Sequence, residues 1–362
     1  MQVDYLTRQQ KLIARLQQHN LQAMLIFGYE NILYLTGFSG NAATLMITTD
    51  GASALITDYR YYERACAETQ DVEVVLRDRN KESLPACLFR LLGERKQIGF
   101  EAHKLSHQDF LSLCQASPAS TSLQVAQHWV EQQREIKDDY EIASIKRAAA
   151  IADQALLETL PLLKAGITER EAALELEYRM QRLGSQGMSF ATILLFGARS
   201  SLPHGSPGET KLNEGDMILL DFGAVVNGYR SDMTRSYVLG TPSKRQQAIY
   251  DTVQSAQQQA LALLKPGCDC QQLNDAAHQV LSHSEFGEFA GEGLGHGLGL
   301  FLHETPFIKP GVNHPLQVGN VITIEPGIYI PNFGGVRLEE DVLITDSGYE
   351  RLTHAPQQFQ LG

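Results

Sequence analysis

Two acidic side chains, Asp221 and Asp232, stand on either side of Asn227-Gly228 in the stretch MILLDFGAVVNGYRSDMTRSY, Met217 to Tyr237. A two-residue turn needs positive φ at both central positions, which Asn and Gly supply, so the flanking apolar runs are expected to pair as a hairpin. With only those two residues in the loop, Val226 faces Tyr229, Gly223 faces Asp232 and Asp221 faces Thr234. The two carboxylates then share one face as diagonal neighbours, roughly 7 Å apart at Cα, near enough to hold the same cations. Gly223, opposite Asp232, is expected to leave that space empty. A bulge in either strand would shift the register by one and break the arrangement.

A second acidic pair lies in VITIEPGIYIPNFGGVRLEEDVLIT, where a turn centred near Asn332 sets Glu325 across from Glu339. Two buried carboxylate pairs repel strongly unless cations neutralise them, so the pattern asks for metal. Between the pairs comes GEGLGHGLGLFLHETP, whose glycines at 291, 293, 295, 297 and 299 remove side chains around His296 and let the backbone approach something closely. Taken singly, each feature has an ordinary reading. Asp221 alone is a satisfied structural carboxylate, Asp232 beside Arg235 and Glu339 beside Arg337 are ion pairs, and His204 in the turn PHG is a surface histidine. Other chemistries are poorly served: no register gives GxGxxG, HExxH fails because position 307 is Phe, and there is no GxSxG elbow. The combination is what favours metal.

The elements that must position these residues follow from the chain around them. At 362 residues two domains are expected. Residues 1–128 alternate strand-like and helix-like segments, which reads as an α/β domain with a largely open sheet. The polar run around the sole Trp, Trp129, reads as the passage into a second domain, 129–362. There, capping boxes at Asp138/Glu141 and Thr168/Glu171 open two helices, and 243–264 and 269–283 give two more among antiparallel strands. A formal charge of -12 argues against a nucleic-acid partner, which would demand a basic patch. The opening residues lack an apolar export core and no run of about 18 apolar residues occurs, so a cytoplasmic protein away from the membrane is expected. The five cysteines are odd in number and scattered, and are expected to be reduced thiols.

These motifs together resemble a known family. DFG with DMTR, GHGxGLxxHExP, EPGIY and GVRxEE, in this order, are similar to those of the pita-bread metallopeptidases, in the branch of aminopeptidase P and prolidase. ILYLTGFSG, LITDYRYYE and GFEAHKLSHQDF resemble the creatinase-type N-terminal domain of that branch. The resemblance implies an α+β pita-bread catalytic domain preceded by an α/β creatinase-type domain. It implies five ligands, Asp221, Asp232, His296, Glu325 and Glu339, for two divalent ions. Hard carboxylates with one imidazole and no thiolate suit Mn²⁺, with Co²⁺, Zn²⁺ and Fe²⁺ as alternatives. By the same resemblance Glu325 is the proton shuttle, His204 and His303 are histidines that hold substrate and tetrahedral intermediate, and a homodimer is expected. Arg337 is expected to orient Glu339 or to meet a substrate carboxylate. Many relatives carry histidine four residues before the metal histidine; Glu292 stands there, which implies an altered substrate pocket.

The activity this implies is removal of the N-terminal residue ahead of proline from peptides. The alternative is a prolidase confined to Xaa-Pro dipeptides, and a remoter one a non-catalytic binding module, which the intact ligand set disfavours.

Overall fold

The structure is a computed structural model that describes residues 3–362. The chain divides between Arg134 and Glu135 into two compact units. The first contains α1 (Tyr5–Gln18), β1 (Ala23–Ile26), α2 (Tyr29–Thr36), β2 (Ala43–Thr48), β3 (Ala54–Thr57), α3 (Tyr62–Glu68), β4 (Glu73–Leu76), α4 (Leu84–Leu92), β5 (Gln97–Phe100), α5 (His107–Ala116), β6 (Ser122–Val125) and α6 (Trp129–Arg134). Its single sheet has the order β4-β3-β2-β1-β5-β6. β2 is antiparallel to both neighbours, while β3/β4, β1/β5 and β5/β6 are parallel. Leu25, Met46, Ile56 and Ile98 meet Cys87, Leu88 and Leu92 of α4 and Leu113 of α5 in a common core. Ser83 and Ser106 cap those two helices, accepting from the amides of Ala86 and Asp109.

The polar run around Trp129, expected to be a passage starting the second domain, is helix α6 of the first unit. Trp129 is the reason: its ring is only 9% exposed, with the Arg15 guanidinium 4.6 Å from its centroid and the His19 ring at 4.7 Å. An indole buries too much surface to be left on a connector. The division therefore falls six residues later than 128/129.

The second unit runs α7 (Asp139–Thr159), α8 (Glu169–Arg182), β7 (Ile193–Phe196), β8 (Met217–Phe222), β9 (Val225–Val226), β10 (Tyr229–Arg230), β11 (Met233–Leu239), α9 (Lys244–Leu263) and α10 (Cys270–Ser282). β12 (Gly295–Gly297), β13 (Glu304–Ile308), β14 (Val321–Ile324), β15 (Gly327–Ile330), β16 (Gly334–Arg337), β17 (Glu340–Thr345), β18 (Gly348–Arg351) and β19 (Gln360–Leu361) complete it. Capping boxes at Asp138/Glu141, Thr168/Glu171 and Ser243/Gln246 start α7, α8 and α9. One sheet is β19-β11-β8-β7 and the other β13-β12-β14-β17-β18, with β15/β16 and β9/β10 as separate ribbons.

Each sheet buries one face under helices. Ile218, Leu220 and Phe222 of β8, with Met233 and Tyr237 of β11, pack on Ile151, Leu156 and Leu176 of α7 and α8. Ile322 and Ile324 of β14, with Val342 and Ile344 of β17, pack on Ile249, Val253, Ala256 and Leu273 of α9 and α10. Each such side chain contributes about 1.5–3 kcal/mol by leaving water. Because side chains alternate along a strand, the residues between them point to the opposite face. Asp221, Thr234, Ser236 and Thr323 are among those.

Candidate metal centre

The Asn227-Gly228 turn has φ of 53° and 82°, and the hairpin keeps the two-residue register along its length: Tyr229 opposite Val226, Met233 opposite Phe222, Thr234 opposite Asp221. No bulge intervenes. The space at Gly223 is filled rather than empty. A Cβ there would lie 1.9 Å from the Ser231 carbonyl oxygen, so glycine is required by the close approach of the two chains beside Asp232.

The second acidic pair sits where one ladder hands over to another. β15 and β16 pair with Gly327 opposite Arg337, and β14 and β17 pair with Ile324 opposite Glu340. The two ladders share one register, interrupted at Pro326, so Glu325 and Glu339 face each other at the break. Asn332, at φ 60°, lies in the turn between β15 and β16. Glu325 is fixed by its amide, which donates to the Leu294 carbonyl at 2.8 Å, and Glu339 by its amide, which donates to the Thr234 carbonyl at 3.1 Å. The Thr234 hydroxyl also donates to Glu339 Oε2 at 2.7 Å.

His296 arrives from β12, the strand between β13 and β14. A Cβ on Gly295 would lie 2.0 Å from the Thr323 carbonyl oxygen, so what approaches closely is the neighbouring strand. His296 Nδ1 lies 3.0 Å from the Gly297 carbonyl oxygen, which can only accept; the proton is therefore on Nδ1. Nε2 is left with its lone pair turned toward Glu325 Oε1 at 3.4 Å and Asp232 Oδ2 at 3.7 Å. Donor atoms of Asp232, His296 and Glu339 all lie within 4.8 Å of one another.

Electrostatics explain why these groups need a partner the polypeptide does not supply. Asp221, Asp232, Glu325 and Glu339 line one cavity of about 1560 Å³, together with His204, His296, His303 and Arg337. Two like charges 4 Å apart repel by about 4 kcal/mol at the effective dielectric of a protein interior. Burial, then Glu339 and Asp221, drive the Asp232 carboxyl well above its ordinary range. Burial, then Glu325 and Asp221, do the same to Glu339. Glu325 is pushed up to about 7, chiefly by burial, although Arg337 opposes the shift. Burial lowers His296, and burial followed by the nearby His296 and His204 lowers His303. Of the four carboxylates only Asp221 meets a guanidinium, that of Arg337, and Asp221 Oδ1 is buried with no hydrogen-bond partner among the described residues. Hard, crowded, under-neutralised oxygen donors with one neutral imidazole are what divalent cations bind.

The cationic partners differ from those adjacency suggests. Arg337 bonds Asp221 rather than Glu339, and it also donates to the Thr234 hydroxyl at 2.9 Å and the Tyr329 hydroxyl at 2.8 Å. Arg337, its side chain 5% exposed, lines the cavity while holding these groups; the sequence reading has it orient Glu339 or meet a substrate carboxylate. Arg235 pairs with both oxygens of Glu340 at 3.1 Å rather than with Asp232, because residues one or three apart on a strand lie on opposite faces. His204 and His303 are exposed on the cavity wall, with the His303 ring 4.5 Å from that of His296. Glu292 is exposed on the same wall.

Three contributors escaped the sequence reading. Asp341 accepts from the Asp232 amide at 2.9 Å and fixes that ligand candidate from behind; its spacing two residues from Glu339 was the available signal. Tyr329 anchors Arg337. Lys137, buried, sits 3.5 Å from buried Glu304, whose other oxygen accepts from the Phe301 amide at 2.7 Å and so ties down the segment bearing His303.

Comparison with known proteins adds to this geometry. Residues 143–346 match the family described as Metallopeptidase family M24, and residues 8–136 match the Creatinase/Prolidase N-terminal domain. The chain is 33% identical over 349 residues to an Xaa-Pro dipeptidase of Pyrococcus horikoshii, covering 96% of this chain and 97% of that one. Among solved structures, an Xaa-Pro dipeptidase from Bacillus anthracis superposes with a TM-score of 0.93 at 31% identity, over 99% of both chains. An X-Pro aminopeptidase from Thermotoga maritima gives 0.90 at 35% identity, over 97% of this chain and 99% of that one.

Proposed function

The chain belongs to metallopeptidase family M24, with a creatinase/prolidase-type N-terminal domain before a pita-bread catalytic domain, and we propose that it is a prolidase, hydrolysing the Xaa-Pro bond of dipeptides. The observation that carries a metal-dependent hydrolase is the convergence of Asp221, Asp232, His296, Glu325 and Glu339 on one cavity, where among the described residues only Arg337 bonds one of the four carboxylates through a guanidinium. The choice of dipeptides is supported by the two dipeptidases of Pyrococcus horikoshii and Bacillus anthracis, each matched over nearly its whole length. This reverses the order in which the motifs alone rank the two activities. An Xaa-Pro aminopeptidase is the second reading, favoured by the Thermotoga maritima structure.

Within this reading the five residues hold two divalent ions, Mn²⁺ being the best match to four carboxylates, one imidazole and no thiolate. Bound there, the ions supply Lewis acidity to the scissile carbonyl and acidify water to near-neutral pKa. The chain's own side chains do the rest. Glu325, placed within 3.4 Å of His296, accepts the proton of the attacking water and returns it to the proline nitrogen as the C–N bond breaks. His204 and His303 donate hydrogen bonds to the carbonyl oxygen as it gains charge. Arg337 acts through Asp221, holding its carboxylate in place, and Asp341 does the same for the backbone of Asp232. Exposed Lys309 on the cavity wall offers a cation to the free carboxylate of a dipeptide, and Glu292 an anion to its amine. A homodimer in the cytoplasm completes the reading; light scattering on the purified chain tests the first part.

The test is hydrolysis by Mn²⁺-loaded protein of an Xaa-Pro dipeptide and an Xaa-Pro-Xaa tripeptide side by side, with Asp232→Ala as control. Cleavage of the dipeptide alone is expected. Cleavage of the tripeptide at the same bond replaces this reading with the aminopeptidase, and inactivity on both with metal bound overturns the Xaa-Pro assignment.

A further inference from the structure

The first unit carries a second convergence of ligand-type side chains. His103 lies in the single turn Ala102–Lys104 that follows β5, His128 immediately precedes α6, and Glu131 is in the first turn of α6. His103 Nε2 is 2.8 Å from Glu131 Oε1, and the His103 and His128 rings lie 4.3 Å apart at a 40° tilt. One donor atom from each residue falls within 4.8 Å of the other two.

Several observations distinguish this cluster from a plain His–Glu ion pair. Glu131 Oε2 is buried without a hydrogen-bond partner among the described residues, although a carboxylate has acceptor sites on both oxygens. His103 Nδ1 is equally buried and has no partner among the described residues. His128 holds φ 62°, a left-handed backbone that Asn, Asp and His adopt more readily than other side chains, and its ring lies beside that of His103. Glu131 is also oriented from behind. Asn31 Nδ2 donates to its Oε1 at 2.9 Å, and Asn31 is itself held by Glu101 at 2.6 Å and Arg134 at 2.6 Å. Metal ligands are characteristically fixed by such an outer ring of hydrogen bonds. His128 Nε2 accepts only from the exposed Gln127 amide at 2.9 Å, a contact that an ion outcompetes.

We propose that His103, His128 and Glu131 form a zinc site, separate in its chemistry from the carboxylate-rich centre of the second unit. Two imidazoles and one carboxylate are a familiar three-ligand set for Zn²⁺, with water in the fourth position, and they favour it over Mn²⁺ or Mg²⁺. Tetrahedral ligands at Zn–N and Zn–O lengths of about 2.0–2.2 Å stand roughly 3.3 Å apart, a spacing bracketed by the 2.8 Å pair and the 4.8 Å limit. Binding at Nε2 displaces the hydrogen that His103 shares with Glu131, and that proton moves to Nδ1, so the imidazole ligates in its neutral form. The ion clips the turn after β5 to the start of α6, fastening the C-terminal end of the first unit.

The experiment uses the full chain stripped with EDTA and dialysed to equilibrium against buffered Zn²⁺, with bound metal counted by plasma mass spectrometry. The variants are Glu131→Gln and His128→Asn, the latter because Asn tolerates positive φ and so leaves the turn intact. Each is expected to bind about one Zn²⁺ fewer per chain than the natural sequence at the same free concentration. Parallel dialysis against Mn²⁺ is expected to show no difference, and Mn²⁺-supported hydrolysis is expected to be unchanged. Zinc held by the second unit is common to all three proteins and cancels. Equal zinc contents in the three proteins overturn the site, and loss in only one variant overturns the three-ligand assignment.

Discussion

Replacing Glu325 by Gln tests the electrostatic account of the centre at the point where a number can be attached. In the metal-free protein Glu325 is raised from an ordinary 4.5 to about 7, mainly by burial, with Asp221 adding to the shift and Arg337 and the Thr323 hydroxyl reducing it. A carboxyl raised on folding carries no penalty below about 4.5, where both states are protonated, and its full penalty above about 7, where both are ionised. Folding therefore loses stability as pH rises. With 1.36 kcal/mol per pKa unit, the penalty is about 0.8 kcal/mol at pH 5 and about 3.4 kcal/mol at pH 8. The Gln side chain keeps the shape and does not titrate. Metal-free Glu325→Gln should thus gain about 2.5 kcal/mol on the natural protein between pH 5 and pH 8.

Differential scanning calorimetry in EDTA reads this as a melting-temperature difference. For a unit of this size 1 kcal/mol corresponds to about 2–4 °C, so the variant's advantage should widen by about 5–10 °C across that range. His296 and His303, lowered on folding, titrate with the opposite sign, but both proteins contain them and the difference removes them. Loading with Mn²⁺ should invert the order, because the ionised carboxylate is then a ligand and its loss weakens binding. A difference in melting temperature that stays constant from pH 5 to pH 8 refutes the burial argument. So does a Gln variant that remains the more stable one with metal present.

Gly223→Ala places a methyl 1.9 Å from the Ser231 carbonyl oxygen and 2.9 Å from Ser189 Cβ, so a loss of about 1–3 kcal/mol or more and a reduced Mn²⁺ content are expected; unchanged metal content would show that the hairpin tolerates opening beside Asp232. Arg337→Met leaves Asp221 buried without its cation and should destabilise the metal-free protein by about 3–5 kcal/mol in denaturant melts, with added Mn²⁺ recovering part of the loss. Lys137→Met breaks the buried pair with Glu304 and frees the Phe301 anchor, so steady-state kinetics should show a raised KM beyond any change in kcat, and an unaltered KM would dissociate this pair from His303. Glu292→His should change the ratio of kcat/KM between substrates that differ in the residue ahead of proline; identical ratios would remove Glu292 from the substrate pocket.

The parts of the centre legible in the sequence are those set by local rules. A two-residue turn fixes a register, a register fixes which side chains share a face, and Asp221 and Asp232 follow from Asn227-Gly228 with nothing else known. The same reasoning reaches Glu325 and Glu339 across a proline that separates two ladders, because both ladders keep one register. Local rules stop at contacts between strands of different sheets. Arg235 and Arg337 stand beside acids in sequence yet pair with Glu340 and Asp221, partners that only the packing of β11 on β17 and of β8 on β16 brings within reach. His103 and His128 illustrate the same boundary: 25 residues and a helix separate them, no spacing marks them, and their rings meet because β5 and β6 are parallel neighbours that deliver both following segments to one end of the sheet. Candidate ligands on a hairpin announce themselves through the turn. Those gathered at the ends of parallel strands become visible only when the strand order is known, so the carboxylate centre was foreseeable from the chain and the histidine cluster was not.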